Sequence, residues 1–166
     1  MGISRIINRV AVMLATGLGL GLIPFASGTF GTLLALPIVW FFWDNLGCYW
    51  GWQAALAAGL SVVAIPICGA AERHYGTKDD GRIVADEYLT FPLCMIGLPW
   101  NPWVVLMAFL TCRCFDIFKP APANQLQAVK GGLGIVIDDV VASVYSLAVN
   151  HAIYWLILRR LLLATE

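Results

Sequence analysis

Residues 131–158 read GGLGIVIDDVVASVYSLAVNHAIYWLIL, with Arg159 and Arg160 directly after. From position 135 onward this run carries no charge except Asp138 and Asp139 near its start. It exceeds the roughly 20 apolar residues that a helix needs to cross hydrocarbon, so it reads as a membrane span with two carboxylates at its mouth. His151, deep within it, reads as a packing residue. A carboxylate beside hydrocarbon is costly unless a divalent cation or a Lys/Arg partner shares its charge. What surrounds Asp138 and Asp139 therefore bears on both fold and function.

The rest of the chain has the same character. Of 166 residues, 60% are hydrophobic and 12% charged, with a mean hydropathy of +0.81. Soluble domains carry roughly twice that charged fraction, and the apolar excess calls for lipid. One membrane-embedded domain over residues 1–166 is expected. Lys plus Arg equals Asp plus Glu at 10 each, which removes the basic bias expected of a nucleic-acid binder. The cysteines at 48, 68, 94, 112 and 114 lie mostly in apolar runs. Their odd number reads as free buried thiols, and Cys112 and Cys114 are too close for the usual paired zinc ligands.

Other spans flank this one. Residues 10–26 are apolar but contain Gly17, Gly19, Gly21 and Pro24, so a short, broken or re-entrant helix is expected, without a cleavable signal sequence. It leads into a loop, Ser27-Gly28-Thr29-Phe30-Gly31-Thr32, whose bare amides and hydroxyls at a helix start suit an anion. A helix over 30–46, a turn at Asp44-Asn45-Leu46-Gly47 and a span over 51–71 follow. Trp40, Trp43, Trp50 and Trp52 flank that turn as an interfacial aromatic belt. Short spans are expected over 83–98 and 103–118, and a longer one over 135–158. The resulting fold is an all-α, multi-pass membrane bundle with four or five membrane segments. The polar connections 72–82 and 119–134 fall on one side, the cytoplasmic side by the positive-inside rule.

On this topology Asp79, Asp86, Glu87, Asp116, Asp138 and Asp139, six of the ten acidic residues, gather at one membrane face. Carboxylates without a matching His/Cys set suit a hard cation such as Mg2+. Arg113, Asp116 and Lys119 recur at three-residue steps and remain in mutual reach on a helix. Asp116 is placed to bind metal while Arg113 and Lys119 contact phosphate oxygens. A metal-activated water attacking a phosphorylated lipid headgroup accounts for both the acids and the bilayer. His74, in the charged loop, is a candidate for proton transfer.

The segments SGTFGTL (27–33), DDGRIVADE (79–87), DIFKPAP (116–122) and GGLGIVIDDVVA (131–142) together resemble the bacterial phosphatidylglycerophosphatase A family, in order, over about residues 11 to 150. The resemblance implies Mg2+-dependent hydrolysis of phosphatidylglycerophosphate to phosphatidylglycerol and inorganic phosphate at the cytoplasmic side of the inner membrane. It carries over Asp86, Glu87, Asp138 and Asp139 as catalytic, and Thr29, Thr32, Arg113 and Lys119 as phosphate-binding. It makes Asp79, Asp86, Glu87, Asp116, Asp138 and Asp139 the pool of metal ligands. Ser27, Thr90 and Ser143 depart from the family pattern, which has proline at the first position and glycine at the other two. Two other readings compete: a CDP-alcohol-type headgroup phosphotransferase and, further off, a small metal-ion transporter. Asp80-Gly81-Arg82 does not continue into the phosphotransferase run, and the acids do not extend through the depth of the spans.

Overall fold

The computed structural model describes residues 2–46 and 49–163 and is helical, with no strand among them. Helices α1 (Ile3–Ala15), α2 (Ser27–Leu33), α3 (Ala35–Leu46), α4 (Trp50–Tyr75) and α5 (Ala85–Thr90) lead to a 3-10 turn, Phe91–Met95. Then come α6 (Pro102–Phe118), α7 (Ala123–Leu126), α8 (Gly132–Ile153) and, after a π-turn at Tyr154–Leu158, α9 (Arg159–Leu163). Gly47 and Cys48, part of the expected turn and of the expected buried thiols, lie outside the described residues. Cys68, Cys94 and Cys112 are free and buried as expected, whereas Cys114 is exposed.

Helix boundaries follow local chemistry. The Asn101 side chain accepts from the Trp103 N–H at 2.9 Å and caps α6, with Pro102 in the first turn. Gly76, with φ 70°, ends α4 and bonds back to the Glu72 carbonyl at 2.9 Å. The following loop is pinned by Asp80, whose carboxylate accepts from Arg82 Nε at 2.7 Å, while that guanidinium stacks 3.8 Å above the Tyr75 ring. The bond to Arg82 holds Asp80 below the usual carboxylate range.

Two helices are long and apolar enough to cross a membrane, Trp50–Tyr75 and the continuous Gly132–Leu163. The expected four or five spans thus reduce to two of membrane length among the described residues. The expected third span is the largest departure. It starts as the six-residue α5, and from Phe91 and Pro92 onward it tightens into a 3-10 turn. Proline removes a helical donor and crowds the preceding turn.

A broken backbone deep in an apolar bundle needs partners for its polar groups. Here side chains from three helices supply them. Trp43 Nε1 donates to the Met95 carbonyl at 3.2 Å, Asn150 Nδ2 to Cys94 at 3.1 Å, and Gln53 Oε1 accepts from the Gly97 N–H at 2.7 Å. His151 Nε2 lies 2.8 Å from the Ile96 carbonyl, the packing role expected of it. Asn150 also accepts from Thr111 Oγ1 at 2.6 Å and so joins α6 to α8. We expect Asn150→Leu to lower stability by about 1–3 kcal/mol, through unsatisfied groups at Cys94 and Thr111. Thermal unfolding in detergent measures this, and an unchanged midpoint would assign the support of residues 91–97 to the other partners.

The first residues of α8 pass against α4 with no room for a side chain. A Cβ on Gly132 would lie 2.0 Å from the Ile65 carbonyl oxygen and 2.6 Å from the Gly69 nitrogen. This close crossing sets where the rest of α8 falls, including Asp138 and Asp139 two turns further on.

Candidate active site

Five carboxylates and two cations meet where the end of α6, the early turns of α8, the start of α5 and α2 come together. On α6, Arg113 Nη1 lies 2.8 Å from Asp116 Oδ2 and 3.4 Å from Glu87 Oε1 on α5, and donates to Thr32 Oγ1 on α2 at 3.4 Å. Lys119 caps α6 in a left-handed conformation, φ 40°. Its ammonium reaches Asp138 Oδ2 on α8 at 2.6 Å and stands 3.9 Å from Asp116 Oδ1. Burial works against the charge on Lys119, but the bond to Asp138 and the nearby carboxylates outweigh it and raise its pKa, so it stays protonated at neutral pH. The three-residue steps read from the sequence thus become one charged ladder that ties α6 to α2, α5 and α8.

Asp139, Glu87, Asp116, Arg113 and Thr32 line one cavity of about 10 Å³, together with Thr90, Cys112, Ala142 and Ser143. That is space for about one water. Thr90 and Ser143, two of the positions expected to depart from the family pattern, both line this cavity. Thr90 donates to the Asp86 carbonyl at 2.7 Å, and Ser143 is fully buried 3.9 Å from Cys112 Sγ.

Four buried polar atoms here have no hydrogen-bond partner: Asp86 Oδ1, Glu87 Oε2, Asp138 Oδ1 and Arg113 Nε. Asp86 and Asp138 are only 6% and 2% exposed. Buried charged groups left unpaired are expensive and rare in folded proteins. Acceptors of this kind suit a hard divalent cation, and a guanidinium N–H suits an anionic oxygen. The donor chemistry therefore fits Mg2+. Among the described residues, however, no three His, Cys, Asp or Glu side chains are drawn close enough to hold an ion.

Asp79 stands apart. Its carboxylate accepts from Gln127 Nε2, and it borders a separate open cavity of about 470 Å³ with Lys78, Asn124 and Ala128. The expected loop at 27–32 is instead helix α2, where Thr32 Oγ1 also bonds back to the Gly28 carbonyl at 2.9 Å. Thr29 is half-buried on the same helix and does not line the charged cavity. His74 belongs to the last turn of α4, is exposed, and faces α1 rather than the acids.

The two glycines of α2 have a role that the sequence reading missed. A Cβ on Gly28 would stand 2.0 Å from Glu87 Oε1 and 2.8 Å from Arg113 Nη2; one on Gly31 would stand 2.9 Å from Glu87 Oε2. Their spacing of three residues was the available signal, since it places both on one helical face. Gly28→Ala is expected to push Glu87 and Arg113 out of register and cut turnover by about tenfold or more, with little change in unfolding temperature. Parental turnover would show that Glu87 tolerates displacement.

A family model described as Phosphatidylglycerophosphatase A matches residues 13–154. The chain is 36% identical over 145 residues to a phosphatidylglycerophosphatase A of Escherichia coli, covering 85% of this chain and 81% of that one. It is 33% identical over 148 residues to the Haemophilus influenzae protein of the same name, covering 87% and 90%. A Bacteroides thetaiotaomicron protein described as a candidate phosphatidylinositol-3-phosphatase is 35% identical over 153 residues, covering 88% and 94%. No solved structure matches the chain.

Proposed function

The chain belongs to the phosphatidylglycerophosphatase A family, a family of lipid phosphatases, and from that premise we propose that it converts phosphatidylglycerophosphate to phosphatidylglycerol and inorganic phosphate. We place it in the bacterial inner membrane, with its charged end toward the cytoplasm and Mg2+ as cofactor. The observation that supports this most is the set of unpartnered buried atoms: three carboxylate oxygens beside one guanidinium N–H. The phosphotransferase and transporter readings give way to the family assignment.

Asp86, Glu87, Asp116, Asp138 and Asp139 are the residues that would hold Mg2+, with Asp79 at the margin, and the bound ion supplies charge neutralisation and polarisation of the phosphoryl group. Arg113, whose Nη1 pairs with Asp116 and Glu87 before substrate enters, offers its unpartnered Nε to a phosphoryl oxygen. Lys119 and Thr32 lie alongside for the other oxygens. Water adds to phosphorus as a carboxylate of the cluster takes its proton. The bond from phosphorus to the glycerol oxygen breaks, and that oxygen takes up a proton as it leaves. A phosphate group exceeds the present cavity, so entry requires the Arg113 and Lys119 ion pairs to loosen as bonds to substrate replace them.

The Bacteroides relative supplies a second reading, a 3-phosphorylated inositol lipid as substrate. Phosphate release by the purified chain from each lipid, with Mg2+ and with chelator, separates the two. The proposal expects release from phosphatidylglycerophosphate at least about tenfold faster, and only with Mg2+. Faster release from the inositol lipid, or full activity in chelator, overturns it.

A further inference from the structure

Helix α1 divides its surface into three sectors. Ala11, Val12 and Ala15 face the protein, and Ala15 is fully buried. Leu14 and Ala15 fix the end of the helix through their carbonyls, which accept from Tyr88 Oη at 2.9 Å and the Val84 N–H at 2.8 Å. Ile3, Ile6, Ile7, Val10 and Met13 form an exposed apolar stripe, from 77% exposed at Ile3 to 45% at Val10. The spacing of the stripe is that of one face of an amphipathic helix. With 13 residues, α1 is about 20 Å long, too short for a hydrocarbon core of about 30 Å. It is therefore suited to lie in the interface, with the stripe in lipid.

Between the stripe and the packed sector stand Arg5 and Arg9. With Asn8, Val12 and the exposed His74 of α4, they line a cavity of about 300 Å³. Neither arginine has a carboxylate within ion-pair distance among the described residues, unlike Arg82, Arg113 and Lys119. Two uncompensated guanidinium groups, an amide and an imidazole thus converge beside an apolar surface. That combination matches a phospholipid whose headgroup carries net negative charge: phosphate oxygens on the arginines, acyl chains along the isoleucines.

We propose that the Arg5–Asn8–Arg9–His74 cavity binds the headgroup phosphate of an anionic membrane phospholipid and that α1 is the interfacial helix that presents it. This rests on the membrane setting proposed above but not on the reaction. The bound lipid holds α1, and through Leu14 and Ala15 the start of α5, at the interface where substrate arrives.

The test is lipid binding followed by native mass spectrometry in neutral detergent. The probes are phosphatidylserine, a phosphodiester that the proposed reaction neither consumes nor forms, phosphatidylcholine, and inorganic phosphate. The parent is expected to retain phosphatidylserine over phosphatidylcholine, and inorganic phosphate is expected not to displace it. Arg5→Gln/Arg9→Gln is expected to weaken retention about tenfold, as loss of two charge-assisted contacts implies. Arg5→Lys/Arg9→Lys is expected to restore part of it. Lys130→Gln/Arg160→Gln, which removes as much charge elsewhere, is expected to leave it unchanged. Equal losses in the two Gln pairs, or displacement by inorganic phosphate, overturns the proposal. The unfolding temperature of the Arg5→Gln/Arg9→Gln variant in detergent, near that of the parent, reports that it is folded, and the binding readout is independent of the proposed reaction.

Discussion

Arg113→Gln is expected to reduce phosphate release by about 10²–10³-fold, the cost of losing a preorganised donor to a charged transition state. The effect has two sources. Arg113 is the cation nearest to both Glu87 and Asp116, at 3.4 and 2.8 Å, and all three side chains are about 15% exposed. Removing one partner of a buried pair strands the other charge and costs about 3–5 kcal/mol. Arg113→Lys separates stability from chemistry, because it retains the charge but not the planar fork or the Nε donor. The lysine variant is expected to unfold near the parental temperature and still lose most of its turnover. Parental turnover in the lysine variant would assign Arg113 a purely structural role.

Gly132→Ala is expected to disrupt the packing of the two long helices against each other. The new methyl would meet backbone atoms of α4, the Ile65 oxygen at 2.0 Å and the Gly69 nitrogen at 2.6 Å, and backbone cannot swing aside as a side chain tip can. The two long helices must separate, at a cost of about 1–3 kcal/mol for overpacking. The displacement also moves Asp138 and Asp139 relative to Arg113 and Lys119, so turnover falls with stability. Gly59→Ala, in the same α4 but with nothing within 4 Å of its new Cβ, is the control and is expected to be neutral or slightly stabilising. Equal unfolding temperatures for the two variants would mean that α8 can shift along α4 without loss.

Much of the charged cluster was legible because charge is scarce in this chain. In a sequence with 12% charged residues, acids at segment mouths must find cations, and the three-residue steps of Arg113, Asp116 and Lys119 already placed those cations on one face. The structure brings Asp86, Glu87, Asp116, Asp138 and Asp139 to the same end. Asp79 was harder to place, since its loop is held by Gln127, directly after a short helix with no periodic signal. Residues 27–32 misled for a related reason. Glycine, serine and threonine have low helix propensity, yet tertiary packing against Glu87 requires glycine at positions 28 and 31 and so makes a helix of them. The third span misled because an apolar run does not reveal that its carbonyls are satisfied by Trp43 and Asn150 from elsewhere. Only long-range contacts reveal this.

The claim that matters most is that these carboxylates act together on one divalent ion. Titration of the purified protein with Mn2+, followed by electron paramagnetic resonance, tests it without reference to turnover. The parent is expected to bind Mn2+ in competition with Mg2+, and Asp86→Asn and Asp138→Asn are each expected to lose most of that binding. Undiminished Mn2+ binding in both variants would contradict a shared ion at this site.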